Sequence, residues 1–108
     1  MIEWVSAFLI TQIIETPIYA HAIGKRRGCW AMAFAASALS HPLIFIIVPE
    51  LFDGTWWRYV VLAEGIAILM ETIWLRWLGI DRPLKWALLA NISSLSLGLL
   101  SRWIWGWP

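Results

Sequence analysis

The chain has 108 residues, 61% of them hydrophobic and 14% charged, with ten tryptophans, one cysteine and a formal net charge of +1, and its mean hydropathy is +0.73. A soluble domain runs near 45–50% apolar and about 25% charged, and a chain this short has too little interior to hide so many apolar side chains, so an integral membrane protein is expected. The near-neutral charge leaves no basic face for nucleic acid, and Cys29 alone excludes an internal disulfide, a CxxC redox pair and a thiolate zinc site.

A helix needs roughly 20 mostly apolar residues to cross a bilayer. Charged and Gly/Pro-bearing breaks divide the chain into four such runs, expected at about 3–23, 29–49, 57–78 and 84–105. The predicted fold is therefore all-α, an integral membrane four-helix bundle forming a single domain over residues 1–108, with short connections that make successive helices antiparallel neighbours.

Span 1 follows an N-terminus with an acid, Glu3, where a signal peptide has its basic region, so this segment is expected to remain in the mature protein. It carries Gln12, Glu15, Thr16 and Tyr19 on one helical face, and Pro17 inside the helix. The break Gly24-Lys25-Arg26-Arg27-Gly28 leads to span 2, where Ala33, Ser37, Ser40 and His41 form a small and polar stripe beside Pro42. Each proline removes a backbone donor and disturbs the carbonyl four residues earlier, so a kink is expected near Ile13 and near Ala38.

The break Pro49-Glu50-Leu51-Phe52-Asp53-Gly54-Thr55 precedes span 3. Glu64 and Glu71 lie seven residues apart there and share a face with Ala67. Two carboxylates at membrane depth cost roughly 5 kcal/mol on the insertion scale, about cancelling the apolar residues of this helix, so it needs polar partners. Past Gly79-Ile80-Asp81-Arg82-Pro83, span 4 presents Ala87, Asn91, Ser94, Gly98 and Ser101, a stripe that lets membrane helices approach closely. Packing accounts for its small residues; the amide of Asn91 needs acceptors, and Glu15 and Glu71 would supply them.

Lys25, Arg26, Arg27, Arg76, Arg82 and Lys85 flank the first and third connections, six of the eight basic residues. The bias toward cytoplasmic Lys and Arg then places both termini outside and locates the chain, as a multi-pass protein, in the bacterial inner membrane. Trp30, Trp74, Trp77 and Trp86 fall at the expected inner boundary, and Trp4, Trp56, Trp57, Trp103, Trp105 and Trp107 at the outer one, where their rings act as anchors. His21 reads as an interfacial side chain.

Ionisable residues at membrane depth usually face the bundle interior and mark function. Counted at about 1.5 Å per residue, Glu15, Glu71 and Asn91 share one depth, with Ser40, His41 and Glu64 in a layer about 6 to 10 Å further out. Glu15, His41, Glu64, Glu71 and Asn91 are thus the candidate ion- or proton-binding residues, and Glu15, His41, Glu64 and Glu71 the candidate metal ligands. No cofactor is specified by the pattern. A metalloprotease His-Glu-x-x-His and a Gly-x-Ser-x-Gly elbow are both absent from the sequence, so an enzyme is not expected.

Four spans with one acid deep in the first, Glu15, resemble the layout of small multidrug resistance transporters, which implies proton exchange for a cation through that residue. The third span departs from that family, with Ala63-Glu64-Gly65 in place of its glycine-rich stretch. Ser40-His41-Pro42, the pair Glu64 and Glu71, and Ala90-Asn91-Ile92-Ser93-Ser94 also resemble uncharacterised four-span bacterial membrane proteins, a likeness that implies no function. The expected function is a cation- or proton-coupled transport or channel unit in the lipid bilayer, acting as a homo-oligomer. The alternative is an accessory or scaffolding subunit that joins other membrane subunits, with a structural polar cluster.

Overall fold

Long apolar runs with few helix breakers fold into helices, and Gly24, Gly79 and Gly106 follow the ends of three of them. The computed structural model describes residues 2–51 and 56–106, with side chains over 5–46 and 57–106. It contains α1 (Ile2–Ile23), α2 (Cys29–Leu51), α3 (Trp56–Trp77) and α4 (Pro83–Trp105), and no strand among the described residues. The expected bounds hold to within two residues, and α2 runs through Pro49 to Leu51. Both α1 and α2 continue through Pro17 and Pro42 without a break in helix. The connection 52–55 and the side chains of Trp4, Trp56 and Trp107 lie outside the described residues.

The ends of the helices follow from backbone chemistry. α3 stops at Gly79, which takes a left-handed φ of 80°. There the Gly79 N–H donates to Arg76 O at 2.9 Å and the Ile80 N–H to Leu75 O at 3.0 Å, the paired bonds of a glycine-terminated helix. α4 begins at Pro83, where the missing N–H is harmless, after Arg82, which adopts a left-handed φ of 53°.

The helices form a ring in which α1 packs on α2, α2 on α3, α3 on α4 and α4 back on α1, and among the described residues the backbones of the diagonal pairs do not meet. The two halves of this ring are packed differently. At the end that carries the first and third connections, the basic end, Tyr19, Ala20, Ile23, Ala33, Ala36, Leu75 and Ala90 form a closed apolar core. Trp74 and Trp86 pack onto it, and Trp74 Nε1 donates to Met32 O at 3.0 Å, joining α3 to α2. These two tryptophans therefore serve the interior, whereas Trp30, Trp57, Trp77, Trp103 and Trp105 are exposed. His21 is also exposed, edge-on to Trp86. Among the described residues, the opposite half holds a small cluster of Ile44, Ala63 and Ala67.

Two helical segments, Cys29–Ile46 and Pro83–Trp105, are long and apolar enough to cross a membrane, with mean hydropathies of 1.6 and 1.3. α1 and α3 carry Gln12, Glu15, Glu64 and Glu71, which lower their hydropathy and which face inward or line the cavity described below.

Candidate functional site: a carboxyl pair at the floor of a cavity

The site assembles because antiparallel helices lean their side chains in opposite directions. Side chains on a helix tilt toward its N-terminus. Glu15 on α1 and Glu71 on α3 therefore lean away from the basic end, while Ser37 and Ser40 on α2 and Asn91 and Ser94 on α4 lean toward it. Acids and donors meet between the layers. Glu15 and Glu71 are each 1% exposed, and Ser37, Ser40 and Asn91 are buried with them.

Ser37 Oγ donates to Glu15 Oε1 at 2.7 Å and Ser94 Oγ to Oε2 at 2.5 Å. Glu71 Oε1 accepts from the Tyr19 hydroxyl and from Asn91 Nδ2 at 2.9 Å, and its Oε2 accepts from Ser40 Oγ at 3.0 Å. The carboxyl groups of Glu15 and Glu71 are near enough to influence each other electrostatically. Two carboxylates buried this close repel each other, and a proton on one of them removes that repulsion.

Two of the donors have a choice of acceptor. Ser94 Oγ also lies 3.1 Å from Asn91 O, and Ser40 Oγ lies 3.1 Å from Ser37 O. A hydroxyl has one hydrogen, so each can turn from a carboxylate to a backbone carbonyl and release the acid oxygen. Asn91 is less free: Nδ2 is held by Glu71, by Ala87 O at 2.8 Å and by the Tyr19 oxygen at 3.3 Å.

Above the pair, in the loosely packed half, lies a cavity of about 230 Å³. Its floor includes Glu15, Asn91 and Ser94, and its sides include His41, Tyr59 and Glu64. Glu64 is within electrostatic reach of Glu15 but takes no part in the hydrogen-bonded network. The His41 ring stacks on Phe45 and meets Phe8 edge-on, at centroid distances of 5.8 and 5.5 Å, and its buried Nδ1 has no hydrogen-bond partner.

The five sequence candidates thus divide. Glu15, Glu71 and Asn91 meet at one depth, whereas His41 and Glu64 stand on the cavity wall. Ser40 departs from its expected layer: rise along the helix puts it with His41 and Glu64, but its tilt toward the basic end carries it to Glu71. Tyr19, Ser37 and Ser94 complete the network, Ser94 from a small-residue stripe whose spacing packing alone accounts for. Among the described residues no three His, Cys, Asp or Glu side chains are grouped to hold a metal ion, because Glu71 lies beneath the floor while His41 and Glu64 line the walls. No family model matches the chain, and neither a curated protein nor a solved structure is significantly similar to it.

Proposed function

We propose that the chain is a multi-pass protein of the bacterial inner membrane, with both termini outside. In this reading its Glu15–Glu71 pair takes up a proton or a small cation entering through the cavity, and several copies act together as a transport or channel unit. The membrane reading is supported by the outer surface of the bundle, where Ile13, Ile46, Val61, Leu69 and Ile92 are all more than half exposed. Apolar exposure on this scale marks a surface that meets lipid or another protein. The two segments of sufficient length and hydropathy agree with it.

One observation carries the functional reading: a carboxyl pair joined to all four helices closes the end of a cavity that two more ionisable side chains line. An ion arriving there meets Glu15 first. Rotation of the Ser94 hydroxyl toward Asn91 O would expose Oε2, and in this reading a proton shared by the two acids provides the exchange. The test is flux into liposomes containing a pH dye, driven by a potassium diffusion potential, for the wild type and for Glu15→Gln, Glu64→Gln and Glu71→Gln. Loss of flux in Glu15→Gln and Glu71→Gln is expected, and unchanged flux in all three variants removes the proposal.

A subunit role has one observation in its favour. Both oxygens of Glu71 are satisfied from within the bundle, as in a cluster that serves only to fix packing. Purification in mild detergent distinguishes the two, since a stoichiometric foreign membrane subunit favours the scaffold and a single species of several copies favours transport.

A further inference from the structure

A second concavity lies outside the ring, on the far side of α2 and α3 from the cavity. It is a groove of about 210 Å³ lined by Ala36, Leu39, Met70, Ile73, Trp74 and Trp77. From Met70 to Trp77 it extends about 10 Å along α3, at 1.5 Å per residue. Its floor is the small side chain of Ala36, its walls are apolar, and its mouth at the basic end is formed by the Trp74–Trp77 ring pair, 5.4 Å apart.

The chain also fixes what stands over that mouth. Arg26 Nη1 donates to Leu78 O at 2.6 Å, which draws the α1–α2 connection onto the end of α3. Lys25 and Arg27 flank the anchored residue and are exposed, as is Arg76 in the last turn of α3. Asp81 is the one acid in the first and third connections. The basic end of the apolar trough therefore lies next to the connection that carries Lys25, Arg26 and Arg27, where cations outnumber the single acid.

We infer that this groove binds an anionic glycerophospholipid, with one acyl chain along Leu39, Met70 and Ile73 and the phosphate between Lys25 and Arg27. The inference rests on the membrane part of the reading above and is separate from the carboxyl pair. The occupant follows from charge complementarity: cations near the bilayer surface attract acidic headgroups, and a slot lined by six apolar side chains takes hydrocarbon. Arg26 is the positioning residue, because its bond to Leu78 O sets the loop over the groove.

The test is native mass spectrometry of the full chain released from micelles holding equal amounts of dioleoyl phosphatidylglycerol and dioleoyl phosphatidylcholine. The wild type is expected to retain one phosphatidylglycerol in clear preference. Lys25→Gln/Arg27→Gln should lower that preference about thirtyfold, at roughly fivefold per cation. Leu39→Trp fills the groove at a half-exposed position and should lose the lipid with every cation in place. Equal retention of the two lipids by the wild type, or an unchanged preference in either variant, overturns the inference. Flotation and alkaline extraction from pure phosphatidylcholine vesicles separate the two readings. A wild type that fails to insert there overturns both, whereas one that inserts without lipid preference overturns the lipid site alone.

Discussion

Tyr19 and Glu71 sit on diagonally opposite helices whose backbones do not meet, and the phenol hydroxyl of the first donates to Oε1 of the second. The diagonal of the ring is thus spanned by polar side chains. Tyr19 is fully buried and belongs at the same time to the apolar core of the basic end, so one residue joins the packed half to the carboxyl pair.

Tyr19→Phe keeps the ring and removes the donor. Asn91 and Ser40 still serve Glu71, so the chain should fold, at a cost of about 1 to 2 kcal/mol for one buried hydrogen bond to a charged or polar acceptor. Reversible denaturation in micelles measures this. A variant as stable as the wild type would show that the diagonal contact contributes nothing.

The asymmetry between the closed and hollow halves sets which positions water reaches. In a Cys29→Ser background, Ala63→Cys and Gly98→Cys face the cavity or its wall, while Ala33→Cys and Ala90→Cys lie in the closed core. A membrane-impermeant thiol reagent should label the first pair rapidly and leave the second pair unlabelled until the protein is denatured. Equal labelling of all four would mean that the basic end is open.

Much of the fold can be read from the residues. Glycine, proline and charge punctuate the chain, and the helix ends at Gly79 and Pro83 follow directly from them. The shared depth of Glu15, Glu71 and Asn91 is equally legible, because a helix rises by a fixed step. The network beyond that is not, for two physical reasons. A serine in a small-residue stripe has the same spacing whether it fills space or donates a hydrogen bond, so Ser37 and Ser94 look like packing. Depth counted along the axis also ignores side-chain tilt, which moves Ser40 toward the basic end and Glu71 away from it by enough to join them across two layers. The cavity is beyond sequence altogether, since its lining comes from all four helices and no spacing along one of them records how closely the others approach.

Gly98 gives a way to fill that space without touching an acid. A Cβ added there meets nothing within 4 Å, so Gly98→Ala should stabilise α4, by up to about 1 kcal/mol of helix propensity. Gly98→Phe extends into the cavity and should block flux in the liposome assay while leaving thermal stability near that of the wild type. Full flux through Gly98→Phe would exclude this cavity as the pathway.

The carboxyl pair itself is best tested by coupling. If one proton joins Glu15 to Glu71, a single Glu→Gln change puts an amide donor where the protonated carboxyl stood, and the contact between the two side chains survives. Glu15→Gln and Glu71→Gln should each cost little stability, even where they stop flux. In the double variant no carboxylate is left for Ser37, Ser94, Tyr19 and Asn91, and two amides must face each other. The double change should therefore deviate from the sum of the single ones by about 1 to 3 kcal/mol, the range for residues in one hydrogen-bonded network. Chemical denaturation of the four proteins closes the cycle. Additive costs would mean that the two acids act independently, each held by its own serines, and the shared proton would have to be abandoned even if both residues prove necessary for flux.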